Sequence, residues 1–271
     1  MAAHLIESRE GAVVTLTMNR PEARNAMSGE MMAGFNEALP RLAADQSVRC
    51  VVLTGAGGAF CSGGDVKGFA QNAATTAAPG SSTEFNLEAR VQGLRSGMEI
   101  VRWLAEMPKP TLAVIPGPAA GAGLSLALAC DLRIAADTAK LTTAFAKVGL
   151  AGDYGGSFFL TQLVGAAKAR ELYFTADVIS GTEAHALGIV NKVAPLAALE
   201  SAARDYAAQL AGLPTVALGY MKKNLNAALT GDLHAVLDLE AMHMIRTFMT
   251  DDHKGAAKAF VEKRAPQFKG R

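Results

Sequence analysis

An α/β fold is predicted by three features of this chain. Short, nearly uncharged strand-like runs alternate with glycine turns and helical periods over residues 1–195. From Leu196 onward only helical periods remain. Half of the 271 residues are apolar, 19% are charged and 6% are aromatic, a small-side-chain composition suited to helices packed closely on strands. The expected organisation is a core over residues 1–195 followed by an all-helical region over residues 196–271.

The elements follow in order. Val13 to Met18 reads as a strand, closed by the turn Asn19-Arg20-Pro21-Glu22. Ser28 opens a helical period with Met31, Met32, Phe35, Leu39 and Leu42 on one face. Cys50 to Thr54 is a second strand, apolar enough to be buried on both faces. A glycine loop ends it, and the small, polar stretch Gln71 to Thr83 reads as a loop. Residues 84–107 carry one helical period through Val91, Leu94, Met98, Val101 and Leu104, stopped by Pro108 and Pro110. Thr111 to Ile115 is a buried strand, Gly121 to Ala129 a short helix and Leu132 to Ala136 another strand. A helix over residues 155–164 ends at Gly165, and a further one covers 168–175. Ser180-Gly181-Thr182-Glu183 is a capping box, Gly188 the stop, and residues 189–193 a last strand. Helical periods then span 196–213, 214–230, 233–249 and 251–264.

Composition excludes several classes. The net charge of +1, with no block of like charges, argues against nucleic acid as a partner. Cys50, Cys61 and Cys130 lie in apolar surroundings without metal-ligand spacing, as expected of buried thiols in a reducing compartment. Residues 1–11 carry His4, Glu7, Arg9 and Glu10, so no signal peptide is expected. The uncharged run from Thr111 to Cys130 has the length of a membrane span, but Pro116, Gly117, Pro118, Gly121 and Gly123 divide it. A cytoplasmic protein with no membrane partner is expected.

Two glycine turns carry the chemistry. Gly58-Ala59-Phe60-Cys61-Ser62-Gly63-Gly64-Asp65-Val66-Lys67 follows one buried strand, and Gly117 to Ser125 follows another. Without side chains in the way, backbone N–H groups in such turns can face a ligand. Ala122 and Gly123 fall at a helix N-terminus, where N–H groups and the macrodipole favour negative charge. Each turn could aim one N–H at a single carbonyl oxygen. Nucleotide sites fit less well. Gly117 to Gly121 lacks the Lys-Ser/Thr of a P-loop, and Leu126 stands where a dinucleotide fingerprint needs its third small residue.

These motifs resemble the crotonase (enoyl-CoA hydratase/isomerase) superfamily. The likeness rests on Asn19-Arg20-Pro21, Arg24-Asn25-Ala26-Met27, Phe60 to Lys67, Gly117 with Ala120 to Gly123, Ala129 to Ala135, and Gly149-Leu150 with Asp153 to Gly156. It continues through Ala184, Leu187 to Asn191 and Ala259 to Arg264, so it covers essentially the whole chain in order. It implies a right-handed spiral of ββα units with a C-terminal helical trimerisation region, and acyl-CoA as substrate. CoA would enter as part of the thioester, with no other cofactor and no metal, and the assembly would be a homotrimer or a hexamer made of two trimers. The oxyanion donors fall on the Gly64 and Ala122 N–H groups. Arg24 and Lys67 would approach phosphates and the Ser62 backbone the adenine amine. Phe260 and Lys263 would reach a neighbouring subunit's ligand.

The chain departs from the hydratase pattern at two places. The two glutamates that add water in hydratases fall on Ser125 and Phe145 here, and neither side chain can shuttle a proton near neutral pH. Asp153 remains, where isomerising members of the family carry a base. Burial against Phe145, Leu150, Phe158 or Phe159 would raise its pKa, and Phe145, Tyr154 and Phe158 are expected to shape the acyl pocket. Asp153 could instead cap the helix beginning near Gly155. Isomerisation of an unsaturated acyl-CoA is therefore expected, with enoyl-CoA hydration by rearranged acids, or CoA binding without turnover, as alternatives. Glu84 and Glu88 could reach the site if the preceding loop folds over it. The five histidines lie away from both glycine turns.

Overall fold

A computed structural model describes residues 3–64 and 86–271. Its centre is a six-stranded sheet in the order β1-β2-β3-β4-β6-β9. Strand β1 (Leu5–Glu10) pairs antiparallel with β2 (Val13–Met18) through a two-residue turn, with Gly11 at φ +57° in its first position. β2, β3 (Cys50–Gly55), β4 (Thr111–Ile115), β6 (Leu132–Ala136) and β9 (Lys192–Ala194) are mutually parallel. All five residues of β4 are buried, as two covered faces require. A second, three-stranded sheet joins β5 (Ala119–Ala120), β7 (Lys140–Thr142) and β8 (Ile179–Ser180).

Helix α1 (Gly29–Ala44) starts where Ser28 accepts the Met31 N–H at 3.2 Å, and it buries Met31, Phe35, Ala38, Leu39 and Leu42. The helical period expected over 84–107 is divided into α2 (Leu87–Gly97) and α3 (Glu99–Glu106). Val91 and Leu94 are 54% and 47% exposed, whereas Ile100, Val101 and Leu104 of α3 are buried. The division falls at Met98, and a Cβ on the preceding Gly97 would lie 3.2 Å from the Tyr154 hydroxyl.

Helix α4 (Ala122–Ala129) is buried on every side and runs through the middle of the core. Its last carbonyls are met by the buried Arg133, whose guanidinium donates to Ala127, Leu128 and Cys130 oxygens at 3.4, 3.2 and 2.6 Å, and to Ile189 oxygen at 2.6 Å. Helix α5 (Gly156–Thr175) is interrupted at Gly165, with φ +76° and ψ 162°, as its sequence predicts. Ser180 and Glu183 form the expected capping box on α6 (Gly181–Ala186). The strand expected over 189–193 pairs only from Lys192, because the N–H groups of Ile189 and Val190 turn back to the Ala184 carbonyl.

Helix α7 (Leu199–Ala211) buries Leu199, Ala203, Ala207, Leu210 and Ala211 in the same core as the sheet. Helices α8 (Thr215–Ala228), α9 (Leu233–Phe248) and α10 (Asp251–Val261) complete the C-terminal region. Lys222 of α8 ties it to the core through Asp131 Oδ2 at 2.8 Å and the Leu104 carbonyl at 2.9 Å. Among the described residues, no helix is long and apolar enough to cross a membrane.

Candidate active site

The two glycine turns are laced together by backbone hydrogen bonds. Phe60 and Cys61 N–H groups donate to the Pro118 carbonyl at 3.0 and 3.2 Å, and the Ala120 N–H donates to the Cys61 carbonyl at 2.9 Å. Cys61 and Ala119 thereby form a parallel bridge. The first turn is pinned from below by Asn25, whose buried amide donates to Ala56 and Ala59 oxygens at 2.8 and 2.9 Å. Gly63 adopts φ +92°, and a Cβ there would sit 2.8 Å from the Ala120 oxygen and 3.3 Å from the Ala122 nitrogen. Only glycine permits both the conformation and the approach. The Gly63 carbonyl is held by the Met27 N–H at 2.9 Å, which fixes the peptide leading into Gly64.

Ala122 is the first residue of α4, where the helix itself offers its N–H no acceptor. Neither the Gly64 nor the Ala122 N–H meets an acceptor among the described residues. Two unpaired donors on adjoining turns, one of them at the positive end of a buried helix, can stabilise one developing oxyanion.

Asp153 arrives on the segment joining β7 to α5, which is dense in left-handed backbone. Ala144, Gly149, Gly152, Tyr154 and Gly155 all have positive φ, between +50° and +107°. For Ala144 and Tyr154 this is stored strain, held by the surrounding packing. Asp153 Oδ1 is buried and has no hydrogen-bond partner among the described residues. The side chain does not cap α5: its backbone carbonyl accepts the Gly156 N–H at 3.2 Å, and no side chain caps that helix. Burial raises the Asp153 carboxyl above the ordinary carboxylate range.

The aromatic surroundings differ from the sequence expectation. Leu150 and Phe158 are 55% and 43% exposed, and Phe158 packs edge-on against Phe159. Phe145 is buried as expected, in a single-turn 3-10 helix, and its ring stacks on Tyr173 with centroids 6.0 Å apart. Tyr154 and Tyr173 both feel the Asp153 charge, which adds to burial in pushing each phenol up to about 12. Phe145 also reaches the second glycine turn, 3.6 Å from where a Gly121 Cβ would be. Ser125 is buried and spends its hydroxyl on the Gly121 carbonyl, 3.3 Å away. Sequence reasoning passed over Tyr173, which lies at the far end of α5 with no local pattern to mark it.

The other expected site residues divide. Ser62 and Arg24 are neighbours: the Ser62 N–H donates to the Arg24 carbonyl at 3.0 Å, and the Arg24 side chain is exposed. Phe260 and Lys263 are exposed at the end of α10 and make no hydrogen bond or ring contact with either turn. Lys67, Asp65, Glu84 and the stretch Gln71 to Thr83 lie outside the described residues. Glu88 is exposed in the first turn of α2. Among the described residues, no group of three His, Cys, Asp or Glu side chains could hold a metal ion.

The sequence model of the family described as enoyl-CoA hydratase/isomerase matches residues 8–271. The chain belongs to the enoyl-CoA hydratase/isomerase family. As a member it is an enzyme acting on acyl-CoA, and its α/β architecture with a helical C-terminal region is the crotonase fold. It is 36% identical over 271 residues to the 1,2-epoxyphenylacetyl-CoA isomerase of Escherichia coli (strain K12), covering 100% of both chains. It is 32% identical to the short-chain-enoyl-CoA hydratase of Clostridium acetobutylicum, over 96% of this chain and 95% of that one. The crystal structure of an enoyl-CoA hydratase from Polaromonas sp. JS666 superposes with a TM-score of 0.88 at 35% identity, over 98% of this chain and 99% of that one.

Proposed function

We propose that this enoyl-CoA hydratase/isomerase family enzyme moves a double bond within an unsaturated acyl-CoA, with Asp153 as the acid/base. The observation that carries this reading is the buried Oδ1 of Asp153, unpaired among the described residues, beside two hydratase positions that hold Ser125 and Phe145. Asp153 removes a proton from one carbon of the acyl chain. The negative charge moves to the thioester oxygen, where the Gly64 and Ala122 N–H groups receive it; one such donor is worth about 3 kcal/mol in a transition state. The protonated carboxyl then returns the proton to a second carbon. No water is consumed, and the Phe145 ring keeps water from the place where a hydratase would activate it.

The CoA moiety is held by Arg24, Lys67 and the Ser62 backbone on one side, and by Phe260 and Lys263 of a neighbouring copy on the other. That arrangement calls for a trimer or hexamer, and the exposed Leu233, Leu237, Ile245 and Phe248 of α9 offer an apolar face for it. The full-length likeness to an isomerase supports the reading. Likeness to an enoyl-CoA hydratase supports a second one, hydration of 2-enoyl-CoA by rearranged acids. Incubation with matched 2-enoyl and 3-enoyl thioesters separates them. The isomerase reading expects interconversion of the two without 3-hydroxyacyl-CoA, and a loss of about 10²- to 10⁴-fold in kcat for Asp153→Asn. Full turnover by that variant would remove Asp153 from the mechanism.

A further inference from the structure

Tyr173 is a polar group beside Asp153 that the reaction above leaves unused. Its ring is wedged between Phe145 and the segment leading to Asp153. One face stacks on Phe145, and its Cε1 lies 3.2 Å from where a Gly152 Cβ would be, one residue before Asp153. Its hydroxyl lies 2.6 Å from the corresponding point on Gly156, which the Ser125 hydroxyl also crowds. Gly156 therefore has to be a glycine, and the two oxygens of Ser125 and Tyr173 flank it. The phenol thus ends beside the position where a hydratase carries its first glutamate.

The two hydroxyls are not equivalent. Ser125 is committed to the Gly121 carbonyl. The Asp153 Oδ1 is buried without a partner among the described residues, whereas the hydroxyl of the half-buried Tyr173 makes no hydrogen bond to any described residue and stays open to solvent. With its pKa pushed up to about 12 by burial and the Asp153 charge, the phenol stays an O–H donor near neutral pH. An acyl chain laid over the phenol would displace its water, and a purely aliphatic one would leave the donor unpaired. An oxygen on the ligand removes that cost.

We infer that Tyr173 is a specificity-determining residue whose hydroxyl donates to an oxygen carried on the acyl group, so that the enzyme selects oxygen-bearing acyl-CoA thioesters over purely hydrocarbon ones. The inference rests on the acyl-CoA reading of the site given above. It involves no covalent step by Tyr173, only a hydrogen bond aimed at a keto, hydroxyl or ether oxygen beyond the carbons that exchange protons with Asp153.

The test compares two unsaturated thioesters of equal chain length, one all-carbon and one with a keto or ether oxygen beyond the γ carbon. For each, kcat/KM is measured with the wild-type enzyme and with Tyr173→Phe, which keeps the ring and its stacking. The wild type is expected to prefer the oxygenated thioester. Tyr173→Phe is expected to lower the ratio of the two specificity constants by about 10- to 100-fold. An unchanged ratio overturns the inference while leaving the acyl-CoA reading intact. Thermal melting of the variant, expected to match the wild type, separates loss of the hydrogen bond from loss of the fold. Failure of the wild-type protein to bind or exchange the α-proton of either thioester overturns the acyl-CoA reading and this inference with it.

Discussion

The helix nitrogen end at Gly123 presses directly on Cys61. A Cβ on Gly123 would lie 2.7 Å from the Cys61 Cβ and would overlap its carbonyl oxygen. The spacing between the two glycine turns is therefore set by the absence of one carbon. Gly123→Ala is expected to push the turns apart, lower kcat/KM by more than about 100-fold and cost about 1–3 kcal/mol or more in stability. Gly93→Ala is the control: nothing lies within 4 Å of its added Cβ, so a helical alanine there is neutral or stabilising by up to about 1 kcal/mol. Steady-state kinetics and urea denaturation of both variants check the pair.

Asp153 is expected to weaken the fold at neutral pH. Its carboxyl titrates higher in the folded chain than in the unfolded one, because burial penalises the charged form. The stability linked to it is complete below the unfolded value of about 3.9 and is lost as pH rises through the folded value. Asp153→Asn should thus melt higher than wild type at pH 7, with the difference vanishing as pH falls toward about 4. On the proposed role of Asp153 as base, activity has the opposite slope, since the carboxylate must be ionised: the acid limb of kcat/KM should fall at a pH above that of an ordinary aspartate. A limb at or below pH 4, or a variant that melts lower at pH 7, would contradict the burial argument.

Arg133 holds the closed end of α4. Arg133→Met is expected to strand the carbonyls of Ala127, Leu128, Cys130 and Ile189, with a loss of at least about 3 kcal/mol read from the urea midpoint. Arg133→Lys should recover part of this, since a lysine keeps the charge with fewer donors in one plane.

The three thiols should be inert in the native protein. Burial pushes Cys50, Cys61 and Cys130 each up to about 12, so almost none is thiolate at pH 8. A colorimetric thiol titration is expected to find all three only after urea is added. One rapid equivalent in the native enzyme would show that a cysteine opens to solvent.

Much of the architecture is legible in the sequence because the period of the apolar residues changes where the structure does. Strands β2, β3, β4 and β6, the cap at Ser28, the break at Gly165 and the Ser180 capping box all stand where local chemistry puts them. Strand β1 escapes notice because Leu5–Glu10 is a polar edge strand whose residues are mostly exposed, leaving no alternation to read. Strands β5 and β8 have two residues each, too few for any period. At the site, the glycine turns and Asp153 are legible as chemistry, but the stacking of Tyr173 on Phe145 is a long-range event. It depends on how the chain between them folds back, and no short-range pattern encodes it.

Cys61 and Ala119 meet across a long intervening stretch of chain, and Met27 meets Gly64 in the same way. Contacts of this kind return free energy only after the loop between them has been closed, and parallel pairings form slowly for that reason. The C-terminal helices and α1 can form early from local interactions, yet none of them brings the two free N–H groups side by side. A newly made chain can accordingly be compact and rich in helix while still inert. On the proposed role of the two turns, activity would appear only once these long-range pairings have brought them into register.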